Sequence, residues 1–135
     1  MNKDTVLTEY ESDLNTVMTA DLRSEEFRKS EANIIKILKD LRGNITDKDL
    51  ERLTKVLDGY GGKEILVELA YTLGELGTEK SFDYLLLMFN RSFEDGCEEY
   101  DTAMACFEEM ESMDRDRTKK EGVYESYTFE RIMFG

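Results

Sequence analysis

Nine carboxylates, and not one lysine or arginine, lie between Ser92 and Asp114: Glu94, Asp95, Glu98, Glu99, Asp101, Glu108, Glu109, Glu111 and Asp114. Like charges crowded together cost stability, so such a run is either a solvated outer face or a surface that gains from meeting positive charge. Drawn on a helix, Glu98, Asp101 and Glu108 fall in one stripe, with Glu109 beside it and away from Phe107. The expected partner-binding set is therefore Glu94, Glu98, Glu99, Asp101, Glu108 and Glu109.

Catalytic chemistry finds little to use. The chain has no histidine, which removes the commonest general base and metal ligand. Gly59-Tyr60-Gly61-Gly62-Lys63-Glu64 has the texture of a phosphate loop. However, Leu57 stands where its first glycine belongs, and Glu64 where a hydroxyl should hold magnesium. It reads as a helix–helix corner. Asp114, Asp116, Thr118 and Glu125 have the spacing of a calcium loop, but Lys119 occupies the position that demands glycine. No spacing singles out a carboxylate pair for a hard metal, so the expectation is no catalytic residue, no metal and no cofactor. Cys97 and Cys106, nine apart on one expected helix, would face opposite sides and could not pair.

Composition narrows the class. A chain of 135 residues with 40% hydrophobic and 36% charged residues can bury one core under a heavily charged surface. Net charge of -13 disfavours nucleic acid and anionic membrane as partners. The start, Met-Asn-Lys-Asp, lacks the apolar run of a signal peptide, and two unpaired cysteines suit a reducing compartment; the expected location is the cytoplasm. There is no proline, and β-branched residues do not alternate, which points to an all-α protein in a single domain, residues 1–135.

About six helices should position the acids. The clearest pair spans Lys63 to Phe93. Ile65, Leu66, Leu69, Ala70, Leu73 and Leu76 make one stripe, Gly77 supplies a left-handed end, and Thr78 caps the next helix, with Phe82, Leu85, Leu86, Phe89 and Phe93 on one side. Earlier helices are expected over Asp4–Thr19, after Ser24 to Leu41, and from Thr46 with Asp49 to the glycines at 59–62. A sixth, capped by Asp95 with Glu98, should run from Cys97 to Ser112 and bury Tyr100, Ala103, Met104, Phe107 and Met110. Asp114 to Lys120 reads as a solvated charged connector, and the aromatic residues 122–135 as a packed C-terminal cap of open secondary structure, strand or helix.

The chain also repeats itself. Leu50, Leu53 and Leu57 match Phe82, Leu85 and Phe89 at an offset of thirty-two, and Leu66, Leu69, Ala70, Leu73 and Leu76 match Tyr100, Ala103, Met104, Phe107 and Met110 at thirty-four. Ala70-Tyr71-Thr72-Leu73-Gly74-Glu75-Leu76-Gly77, followed by Phe82 and Leu85, resembles the A-x-x-L-G-x-L-G ending of bacterial HEAT repeats. The resemblance covers residues 46–112, two repeats, with the first two helices as a degenerate third. It departs from the pattern in having no helix proline and no Asp–Arg ladder. It implies a right-handed stack of antiparallel helix pairs, an α-solenoid; a plain helical bundle is the alternative.

A stack of this size and charge is expected to be a non-enzymatic protein-binding module for a basic protein. Small acidic inhibitors, including toxin-immunity proteins, share its size and charge, which is an analogy of class. Two other classes compete: an enzyme using acidic residues and a hard metal ion, and a structural subunit that oligomerises through an end of the stack.

Overall fold

The computed structural model describes residues 2–58 and 62–135. Among these residues the chain forms eight α-helices and no strand: α1 Lys3–Thr19, α2 Glu25–Leu41, α3 Leu50–Leu53, α4 Lys63–Leu76, α5 Glu79–Arg91, α6 Tyr100–Met113, α7 Arg115–Lys120 and α8 Tyr127–Phe134. Short 3₁₀ turns flank α3 at Asp47–Asp49 and Thr54–Asp58, and two more lie at Glu94–Gly96 and Val123–Glu125. None of the helices is long and apolar enough to cross a membrane.

The ends of the first helices follow local chemistry. Asn2 accepts from the Asp4 N–H at 2.8 Å and starts α1, while Ser24 accepts from Phe27 at 3.1 Å and starts α2. Leu7, Tyr10, Leu14 and Val17 bury one face of α1 against α2, and Met18, on the edge of that stripe, is exposed. On α2 the buried face is Phe27, Ile34, Ile37, Leu38 and Leu41, with Ile35 half-buried beside it.

The expected third helix is instead broken. The Thr46 N–H donates to Asp49 at 3.0 Å, so that part of the capping box forms, but the helix gives way to a 3₁₀ turn at Thr54. Thr54 Oγ1 turns back to donate to the Leu50 carbonyl at 2.7 Å, which satisfies the buried hydroxyl. The Leu53 carbonyl, left at the helix end, accepts from the Tyr10 hydroxyl at 2.6 Å in the interior. Ion pairs of Arg52 with Asp4 and Glu11, and of Lys3 with Asp49, tie this segment to α1. The glycine-rich corner expected at 59–62 lies outside the described residues apart from Gly62, which precedes α4 with φ 77°.

The α4–α5 hairpin forms as its residues require. Gly77 is left-handed at φ 68° and ψ 22°, and Thr78 accepts from the Ser81 N–H at 3.1 Å. Ile65, Leu69, Ala70 and Leu73 on α4, and Phe82, Leu85, Met88 and Phe89 on α5, are buried. α4 lies between α2 and α6, and α5 packs on both α4 and α6.

Three expectations fail in the last third of the chain. The sixth helix does not begin at Cys97. Asp95 and Gly96 both adopt positive φ, 52° and 82°, and the chain stays extended at Cys97, so α6 starts at Tyr100 without a capping side chain. Tyr100, expected inside, is exposed and stacks edge-to-face on Phe93 at 4.9 Å. The connector is a helix, α7, started by Asp114 accepting from Arg117 N–H at 3.0 Å, with Thr118 buried. The aromatic tail contains a helix, α8, begun by Ser126 accepting from Phe129 at 3.1 Å. Phe129 and Tyr124 meet Phe107 of α6 at 5.3 and 5.8 Å, whereas Tyr127, Met133 and Phe134 remain exposed.

Candidate functional site

α4 and α6 lie side by side, and their outward edges leave a groove of about 550 Å³ between them. α4 contributes Lys63, Glu64, Val67, Glu68 and Tyr71, which recur every three or four residues and so share one edge of the helix. α6 contributes Asp101, Met104, Ala105 and Glu108 by the same periodicity. The opposite faces of these two helices carry Ile65, Leu69 and Leu73, and Ala103, Cys106 and Met110, all in the core. Burial of those residues fixes the rotation of both helices, and that rotation turns the carboxylates into the groove.

Positive charge near the groove is already engaged at one end. Arg42, just after α2, pairs with the Glu68 carboxylate, donates to the Glu68 carbonyl at 3.3 Å and to Thr72 Oγ1 at 3.2 Å, and lies over the Tyr71 ring at 5.8 Å. Glu64, Asp101 and Glu108 are exposed and have no ion-pair partner among the described residues. Glu109 lies across Gly74 of α4, where an added Cβ would come within 2.5 Å of its carboxyl group. Burial, and then the neighbouring Glu108 and Glu75, push the Glu109 carboxyl up against the lowering effect of Arg42. Glu31 of α2 is raised in the same way by burial and by Glu64.

The acidic set expected as one face is divided among three places. Asp101 and Glu108 line the α4–α6 groove, and Glu109 lies against Gly74 of α4. Glu94 and Glu99 line a smaller hollow around the start of α6. Glu98, placed before the helix by the turn at Asp95, instead approaches Arg131 of α8 at 3.4 Å. The stripe of Glu98, Asp101 and Glu108 therefore does not exist, because its first member is not helical. Glu64, Glu68 and Tyr71 were missed. Their signal was present: two glutamates four apart on α4, next to a repeat offset that sets α4 beside α6.

The other sequence signals resolve simply. The calcium-loop spacing falls on α7 and the turn after it, and no group of three or more Asp, Glu or Cys side chains could hold a metal ion among the described residues. Both cysteines are free: Cys97 is exposed, and Cys106 is buried, its thiol pushed up by burial and by Glu109 and Glu99.

These carboxylates give stability a definite pH dependence. Glu31, Glu99 and Glu109 hold protons more tightly when folded than the ordinary glutamate value of 4.5, chiefly through burial. Lowering the pH from 7 toward 4.5 should thus favour the folded state. Glu11 moves the other way: hydrogen bonds from Lys55 and Arg52 lower it despite burial. Burial alone would raise Asp49, yet the ammonium of Lys3 and the Thr46 N–H outweigh it and bring it below 3.8. Their stabilisation is complete above those ordinary values and is lost as pH falls through the lowered ones. The melting temperature is expected to rise from pH 7 to about pH 5 and to fall below about pH 4. A monotonic fall from pH 7 downward would contradict the assigned shifts.

No protein-family model, curated protein or solved structure matches this chain, so the reading of the groove rests on its own geometry.

Proposed function

We propose that the chain is a non-enzymatic protein-binding module that offers the α4–α6 groove to a basic segment of a partner protein. The observation that carries this reading is the set of exposed, unpaired carboxylates of Glu64, Asp101 and Glu108 around one groove, beside the exposed ring of Tyr71. These carboxylates have no ion-pair partner among the described residues, so a cationic segment would supply their counter-charge while the ring supplies apolar contact. The order α2, α4, α6 in one row supports a HEAT-like, right-handed stack of helix pairs closed by the aromatic C-terminal segment. Size, charge and free cysteines fit a small acidic inhibitor or toxin-immunity-type protein of the cytoplasm. For a nuclease partner, the groove would compete with nucleic acid for the enzyme's basic cleft.

The test is charge reversal at the groove. Glu64→Lys, Asp101→Lys and Glu108→Lys together should leave the helix content intact, since all three side chains are exposed. Association with a basic partner recovered from the host, or with a lysine-rich peptide, should slow by about tenfold or more at low salt, and wild-type affinity should fall as salt rises. Equal association rates for the two proteins would remove the groove from the reading.

A further inference from the structure

The row of helices has two unlike ends. At one end, Val6 of α1 with Ile37 and Leu41 of α2 gives an apolar lining to a groove of about 700 Å³, within the roughly 300–1,000 Å³ of sites that take sizeable groups. Its charges balance: the lining holds Lys3 and Lys36 together with Glu9 and Asp40. Two of these are already engaged, Lys3 with Asp49 at 2.9 Å and Glu9 with the Asn33 amide at 3.0 Å. Lys36 is exposed and has no ion-pair partner among the described residues. The α4–α6 groove differs, setting Lys63 against Glu64, Glu68, Asp101 and Glu108. In a chain of net charge -13, a second acidic molecule is repelled least where the charges balance.

At the other end α8 lies against α6. Phe129 and Ile132 pack its inner side on the core. Its outer side is apolar as well: Phe134 is 84% exposed, Tyr127 64% and Met133 42%. Single exposed apolar side chains are ordinary, but three on one short helix make a patch, and a patch of this kind marks a contact surface. Tyr127, Glu130 and Phe134, three and then four residues apart, share one edge of α8. Glu130 and the nearby Glu125 are exposed, so this end of the row is acidic where the groove offers an unpaired lysine.

We propose that α8 of one molecule seats in the α1–α2 groove of a second copy of this chain, with Phe134 on Val6, Ile37 and Leu41 and Glu130 beside Lys36. Patch and groove lie at opposite ends of the row, so the contact is head to tail. A molecule bound through its α8 still offers its own groove, and the product is an open chain of copies that never closes on itself as a two-fold dimer does. The contact uses none of the residues that line the α4–α6 groove, which stays available along such a chain.

Sedimentation equilibrium from micromolar to millimolar protein reads the contact. The mean mass should rise with concentration and pass beyond that of a dimer. Phe134→Ser removes the seated ring, and Val6→Glu combined with Lys36→Glu spoils the groove. Both variants should fold, since Phe134 and Lys36 are exposed and Val6 is half-buried, and each alone should remain a monomer. Mixed in equal amounts they should form a dimer and nothing larger, because one molecule keeps its groove and the other keeps its α8 face. If Val6→Glu unsettles α1, Lys36→Glu by itself should still weaken association several-fold. A wild-type mass that stays at the monomer, or halts at the dimer, would overturn the proposal. So would a mixture of the two variants that stays monomeric, or association unchanged by Lys36→Glu. None of these results depends on whether the α4–α6 groove binds a basic segment, so this contact and that reading fail separately.

Discussion

Replacing Leu73 with alanine is expected to destabilise the protein by about 2–5 kcal/mol, measured by denaturant unfolding. The side chain is 0% exposed and lies on the inner face of α4 with Leu69 and Ala70. α4 contacts α2, α5 and α6, so a void on its inner face lies in the closely packed centre of the helices. Two terms add: the lost transfer energy of the removed methyl and methylene groups, and the cavity that the surrounding helices cannot fully close. The groove residues are on the other edge of the same helix and are not touched by the change. A loss under about half a kcal/mol would mean that the inner face of α4 had been assigned incorrectly.

A loss of about 3–5 kcal/mol is expected for Phe82→Ala. Phe82 is 1% exposed in the first turns of α5, and the Arg117 guanidinium of α7 lies over its ring at 4.1 Å. That guanidinium also donates to the Glu79 carbonyl at 3.2 Å and pairs with Asp83, so three interactions of α7 converge on the start of α5. Removing the ring takes away both a core side chain and the surface against which α7 is seated. Trypsin should then cut after Lys119 and Lys120 faster than in the wild type, before global unfolding. An unchanged cleavage rate would show that α7 is held by its other contacts.

The places where sequence and structure part company share a physical cause. The α4–α5 hairpin was legible because its signals are local: an apolar stripe, a glycine at the left-handed position and a hydroxyl cap. The break at Thr54 goes with a contact distant in sequence: the Leu53 carbonyl at the helix end accepts from Tyr10, 43 residues away. The late start of α6 depends on Asp95 accepting a left-handed conformation that is uncommon for a residue with a Cβ. That single dihedral decided the acidic site. It took Glu98 off the helix, where it meets Arg131, 33 residues on. A run of charges gives the sign of a surface, but its neighbours come from helix rotation and packing. Glu64 and Glu68 became part of the site only because α4 is beside α6. The connector read as solvated because its charges were counted, whereas Arg117 lays its guanidinium over Phe82 and pairs it with Asp83.

The division of labour within α4 and α6 also bears on how such a chain can diversify. Positions on the inner faces, such as Leu69, Leu73, Ala103 and Met110, carry the fold, and exposed positions such as Glu64, Asp101 and Glu108 carry the charge. Substitutions at the exposed set are close to neutral for stability. Selection could therefore rewrite the groove one charge at a time while every intermediate still folds. Descendants of one ancestor could come to share an apolar spacing and a helix order while retaining no common pattern of charge.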